Sequence, residues 1–101
     1  MAWINQEHLM KQSEEFIKNN PSLKISKVVN KQGTFVFYRN YKDKEYADFR
    51  IILVMNGNDE GWSIDYMRHT GKWENLHVFG SFKHCLDEIK EGKYEVLKPL
   101  K

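Results

Sequence analysis

The residues best equipped for chemistry crowd into YMRHTGKW, residues 66 to 73, where two large aromatics, a methionine, two cations and a histidine surround one Thr-Gly pair. Aromatic rings interleaved with cations can stack a base or grip a partner. The same residues also describe the tip of a β-hairpin, with bulky cross-strand pairs and a glycine where φ turns positive. If Thr70-Gly71 is a two-residue loop, His69 pairs with Lys72 and Arg68 with Trp73. Arg68 then lies over the indole, a cation–π contact of about 0.5–1 kcal/mol at an exposed site. That register puts Trp62, Ile64, Tyr66, Trp73 and Phe79 on one core-like face. Asp65, Met67, His69, Lys72, Glu74, Leu76 and Val78 fall on the other, half-solvated one. Alternation alone accounts for where the aromatics point, so the hairpin reading prevails. Only Arg68, His69 and Lys72 at the tip remain to touch something else.

Other chemistries find less support. His69, His77 and His84 lack the spacing of a metal site, and no carboxylate motif accompanies them. Cys85 follows His84, but adjacent helical residues point about 100° apart. Cys85 belongs to an apolar stripe, where it acts as a small buried hydrophobe. Neither G-x-G-x-x-G nor G-x-x-x-x-G-K occurs. Asp59-Glu60 sits in a loop and Asp87-Glu88 on an exposed helix face, and neither pair has the enclosure that shifts a pKa for acid–base work. The expectation is a non-enzymatic chain without cofactor or metal.

The elements that must position these residues alternate in period. A helix is expected from about residue 5 to 19, with Asn5 as N-cap, Ile4 and Leu9 as a hydrophobic staple, and Leu9, Met10, Phe16 and Ile17 as its apolar stripe. Asn19-Asn20-Pro21 ends it. Leu23, Ile25 and Val29 then alternate through a first strand that stops at Asn30-Lys31-Gln32-Gly33. In a second strand Phe35, Phe37 and Tyr41 share one face, and Val36 and Tyr38 the other. KDKEYAD, residues 42–48, reads as an exposed, charge-alternating connection and a candidate contact loop around Tyr46. FRIILVMN carries apolar residues on both faces and belongs at the centre of a sheet. WSIDYMRH and KWENLHVF follow, and a last helix shows Phe82, Cys85, Leu86 and Ile89 in an i, i+3, i+4, i+7 stripe between the N-cap Ser81 and the C′ glycine Gly92. YEVLKPLK adds a short edge segment or stays loose. The sum is an α+β two-layer sandwich in the order α-β-β-β-β-β-α, a five-stranded antiparallel meander packed by both helices.

Composition narrows the partners. A chain of 101 residues is expected to form one domain spanning 1–101. Its net charge of +2 and only three arginines (Arg39, Arg50 and Arg68) give no strong pull toward nucleic acid or lipid. A lone cysteine fits a reducing cytoplasm, the first ten residues lack a signal-peptide pattern, and the longest apolar run, Ile51–Met55, is far short of a membrane span.

The hairpin W-x-I-x-Y-M-R-x-x-G-K-W, carried by Trp62, Ile64, Tyr66, Met67, Arg68, Gly71, Lys72 and Trp73, resembles that of a small uncharacterised bacterial domain-of-unknown-function family. The likeness covers about a dozen residues and implies a helix first, strands in the middle and a helix near the end. LKPLK departs from the aromatic- and glycine-containing ending of that family, whose role is unknown, so no catalytic residue carries over. In kind, a small lysine- and asparagine-rich chain is also similar to inhibitors borne by phages and mobile elements, anti-CRISPR proteins among them. The function expected is therefore protein binding, as an inhibitor or regulator of a host enzyme. The contact residues are Tyr38, Tyr41, Tyr46, Arg50, Arg68, His69 and Lys72. The alternative is a nucleic-acid-binding module using a lysine- and aromatic-bearing sheet face. No membrane partner is expected, and the chain is a monomer or, because a sheet leaves edges and one incompletely covered face, a homodimer.

Overall fold

The computed structural model describes residues 6–68 and 70–91, without the side chains of Tyr41 and Asn56. Helix α1 (Gln6–Asn19) is followed by a 3₁₀ turn at Pro21–Leu23. The strands are β1 (Ile25–Lys31), β2 (Thr34–Tyr41), β3 (Lys44–Asn56), β4 (Asp59–Met67) and β5 (Trp73–Asn75), and helix α2 (Phe82–Glu91) closes the described chain. The sheet is antiparallel throughout, in the order β1-β2-β3-β4-β5. The expected architecture is the observed one, with β3 at its centre. The expected N-cap Asn5 and staple residue Ile4, the C′ glycine Gly92 and the tail YEVLKPLK lie outside the described residues.

Both helices pack on one face of the sheet, α1 along β1 and α2 along β4, and they touch each other. Phe16 of α1 and Phe82, Cys85, Leu86 and Ile89 of α2 meet Val28, Phe35, Phe37, Phe49, Ile51, Trp62 and Ile64 from the strands. The aromatics are ordered within this layer. Phe82 makes edge contacts with Phe35 and Trp62, each at 5.1 Å, while Phe37 stacks on its cross-strand partner Phe49 at 4.9 Å. The α2 stripe expected from the sequence is wholly buried, and Ser81 caps the helix by accepting the His84 N–H at 3.0 Å.

Several local expectations give way. Leu23 is buried but belongs to the 3₁₀ turn, and a bulge between Ile25 and Lys27 shifts the strand so that Val28, not Val29, faces the core. KDKEYAD is no loop. Only Lys42 and Asp43 turn, both with positive φ (51° and 64°), as the tight hairpin connection requires, and Lys44 to Asp48 extend β3. Mixed charge matches the exposure of Lys42 to Tyr46 but not the partial burial of Asp48, and a strand's outward side is as solvated as a loop.

The largest correction concerns the fourth and fifth strands. Met67, not Arg68, pairs with Trp73, Tyr66 with Glu74, and Asp65 with Asn75. Arg68 instead pairs with Lys72. Its N–H donates to the Lys72 carbonyl at 2.9 Å, and the Gly71 N–H returns to the Arg68 carbonyl at 2.8 Å, with Gly71 at φ 84°. A longer connection than the two-residue loop thus moves the register by one residue, and such a slip sends every side chain to the opposite face. Trp73 leaves the core layer for the helix-free side. β5 ends at Asn75 rather than Phe79, and Gly80 resumes pairing with Trp62 alone. Val78 is buried in the core and Leu76 packs against it, whereas Phe79 is exposed.

Candidate functional site

The face without helices is built by residues of opposite parity to the core. Arg50, Ile52 and Val54 of β3 lie beside Ser63 and Asp65 of β4, and Trp73 and Asn75 of β5 follow. The segment from His77 to Phe79 borders them, and together they enclose an open hollow of about 620 Å³. Its rim is shaped by Gly61, since the Phe79 ring lies where a Cβ would stand, 2.5 Å from the ring's Cζ. Glycine is needed there for close approach of the ring to the strand.

One wall is a connected polar network. Arg50 Nε donates to Asp65 Oδ2 at 2.8 Å, and the guanidinium carbon sits 4.5 Å from the centre of the Trp73 ring. Asn75 Nδ2 donates to Asp65 Oδ1 at 2.8 Å and lies 2.9 Å from Ser63 Oγ. Asn75 Oδ1 takes the His77 N–H at 2.8 Å, which fixes the bend where His77 adopts φ 59°. Asp65 and Ser63 are buried beneath these groups even though no helix covers them. A buried carboxylate with both oxygens engaged is a positioned one. The arrangement offers shape, an oriented guanidinium and an aromatic ring.

A second group lies across β1 and β2 on the same face. Lys27 Nζ and Lys31 Nζ stand 4.9 and 5.9 Å from the Tyr38 ring centre, and Lys31 also donates to the Tyr38 hydroxyl at 3.2 Å. Lys27 is ion-paired with Glu45 at 3.0 Å. The Ser26 hydroxyl and then Lys27 hold the Glu45 carboxyl below its ordinary value.

Of the residues singled out from the sequence, the structure brings Tyr38 and Arg50 to this face. Tyr46 is half exposed and lies across from Arg39 on the opposite face. Arg68 and Lys72 are exposed at the β4–β5 tip, and Arg68 is 3.5 Å from Glu74 rather than over Trp73. Glu74 also accepts the Tyr66 hydroxyl, which raises the Tyr66 pKa. The Tyr41 side chain and His69 lie outside the described residues. Of the five whose side chains are described, Tyr38 and Arg50 share a face that Tyr46 does not.

Trp73, Asp65, Asn75 and Ser63 were missed because their convergence depends on the β4–β5 register. A buried ion pair was missed as well: Arg39, 2% exposed, donates to Asp48 at 2.9 Å. Asp48 is the extra residue of a bulge opposite Phe37-Tyr38. Burial pushes its carboxyl above the usual value, and the Arg39 charge offsets this only in part. No run of residue types announces a bulge of this kind.

Among the described residues, no three His, Cys, Asp or Glu side chains gather as a metal site would need, and no helix is long and apolar enough to cross a membrane. The Cys85 thiol, buried beside Glu88, is pushed up to about 12, mainly by desolvation, so thiolate chemistry is suppressed. No curated protein and no solved structure matches the chain. Residues 4–99 match a family model, and the chain belongs to that family, described as Domain of unknown function (DUF3024).

Proposed function

We propose that this chain is a non-enzymatic protein-binding domain that docks its partner on the helix-free face of the sheet. The observation that carries the reading is the hollow beside Trp73, in which half-buried Ile52 and Val54 lie next to an indole and an oriented arginine. Tryptophan, tyrosine and arginine in a partly desolvated apolar setting are the residues that dominate protein–protein binding energy. An inhibitor that occludes an enzyme surface, as anti-CRISPR proteins do, would use the same face. Arg68, Lys72 and Tyr46 lie away from it, which narrows the proposed contact set toward Tyr38, Arg50 and Trp73.

A nucleic-acid module is the second reading, favoured by Tyr38 between two lysines on the same face as Trp73. It ranks lower because neighbouring carboxylates already offset the charge of cations there, Lys27 by Glu45 and Arg50 by Asp65. A groove that tracks phosphates needs unpaired positive charge along its length.

Fluorescence anisotropy with labelled mixed-sequence single- and double-stranded oligonucleotides at low salt separates the two readings. The expected result is no binding. Binding that weakens steeply with salt and with Lys27→Ala and Lys31→Ala would replace the protein-binding reading. In a native lysate, proteins retained by the wild-type chain are expected to be lost by a folded Val54→Asp variant. Equal retention by both would remove the hollow from the function.

A further inference from the structure

The hollow has one polar group that its own residues leave incomplete. Asp65 is buried with each oxygen already engaged, Oδ2 by Arg50 and Oδ1 by Asn75. Arg50 is not. Its Nε is engaged and its guanidinium lies over Trp73, but its two terminal nitrogens meet no acceptor among the described residues. Water serves those donors while the hollow is open. An occupant that displaces this water must bring an acceptor, because a charged donor buried without one costs more than an unpaired neutral group.

The chemistry of that acceptor follows from the surroundings. A cationic occupant would meet Arg50 as a like charge while Asp65 is already taken. A carboxylate can take both terminal nitrogens in the parallel, two-bond geometry that suits guanidinium, leaving the Nε–Asp65 bond intact. Arg50 is held from one side by Asp65 and from the other by Trp73, so little rotamer freedom is lost on binding. The hollow is too open to enclose a small free acid, since small-molecule sites bury about 70–90% of their ligand. A polypeptide has the area to cover Ile52 and Val54 as well.

We infer that the hollow recognises a protein segment in which an acidic side chain engages Arg50 while neighbouring apolar side chains cover Ile52 and Val54. This rests on the protein-binding reading above and specifies the partner's chemistry.

Selection of a displayed random-peptide library on the immobilised full chain tests it, followed by calorimetric titration of the enriched peptides. Enriched peptides are expected to carry Asp or Glu beside apolar residues. Changing that acid to its amide should weaken binding about tenfold or more, and the difference should vanish against Arg50→Gln, whose folding is checked by its thermal transition. Should Arg50→Gln not fold, Arg50→Lys replaces it. Lysine keeps the charge but loses the fork, and is expected to recover only part of the affinity. Peptides that bind, compete with one another and lose affinity to Val54→Asp, yet show no acidic preference or no coupling to residue 50, would overturn this inference and leave the protein-binding reading standing. Enrichment of nothing above a blank surface would overturn both.

Discussion

The Arg50 guanidinium lies over the Trp73 ring, 4.5 Å from its centre, although the strand that carries Asp65 runs between the two residues. The contact joins β3 to β5 across β4 and takes Trp73 out of the core. It also separates two tryptophans by role: Trp62 is buried against Phe35 and Phe82, whereas Trp73 is half-buried on the other side of the sheet.

Unequal stabilities should follow. Trp62→Ala opens a cavity in the aromatic layer and is expected to cost about 3–5 kcal/mol. Trp73→Ala loses a cation–π contact and partial burial, and about 1–2 kcal/mol is expected. Urea unfolding of the two variants measures both, and equal losses would return Trp73 to the core.

Gly61→Ala should act through Phe79. The new methyl group would meet the far end of the ring, 2.5 Å from Cζ, and force it off the strand. A loss of about 1 kcal/mol is expected in the wild-type background. Alanine is otherwise preferred to glycine within a strand, so in a Phe79→Ala background the same substitution should be neutral or stabilising. A double-mutant cycle that shows no coupling would contradict the contact.

The Asp48 carboxyl should titrate above an ordinary aspartate even though it faces a guanidinium, because burial outweighs the pair. The sign follows from linkage. The folded state holds this proton more tightly than the unfolded chain, so Asp48 makes stability fall as pH rises from the ordinary aspartate value to the raised one. Carbon-detected NMR titration reads the midpoint. Arg39→Met should raise it further and lower stability by about 2 kcal/mol, less than for a fully buried pair because Asp48 is partly exposed. A midpoint at or below the ordinary value would mean that the ion pair prevails.

Cys85 should resist alkylation. With its thiol pushed up to about 12 and its side chain fully buried, labelling at pH 8 is expected only through opening of the fold. Labelling rates should therefore rise in parallel with denaturant-induced unfolding. Fast labelling of the native chain would place Cys85 at an accessible edge.

Element type and order were legible because they depend on local periodicity. The Phe82, Cys85, Leu86, Ile89 stripe, the Ser81 cap and the central apolar run of β3 each carry their own pattern. The candidate site was legible only in part. Arg50 and Tyr38, both singled out from the sequence, share the helix-free face, although a bulge at Asp48 falls between their positions in the β2–β3 pairing. Trp73, Asp65 and Asn75 depend on how many residues the β4–β5 connection spends, and Arg39 and Asp48 on where a bulge falls.

The amino-acid sequence by itself determined the helices, the meander and most of the core, because hydrophobic period and turn chemistry act over a few residues and point the same way. Only the tertiary structure decided which face each hairpin residue takes. A side chain alternates with a period of two, so one extra residue in a turn or a bulge reverses it, and the energy that selects between the two registers comes from packing across the whole sheet. That choice turned Trp73 from a core anchor into the partner of Arg50.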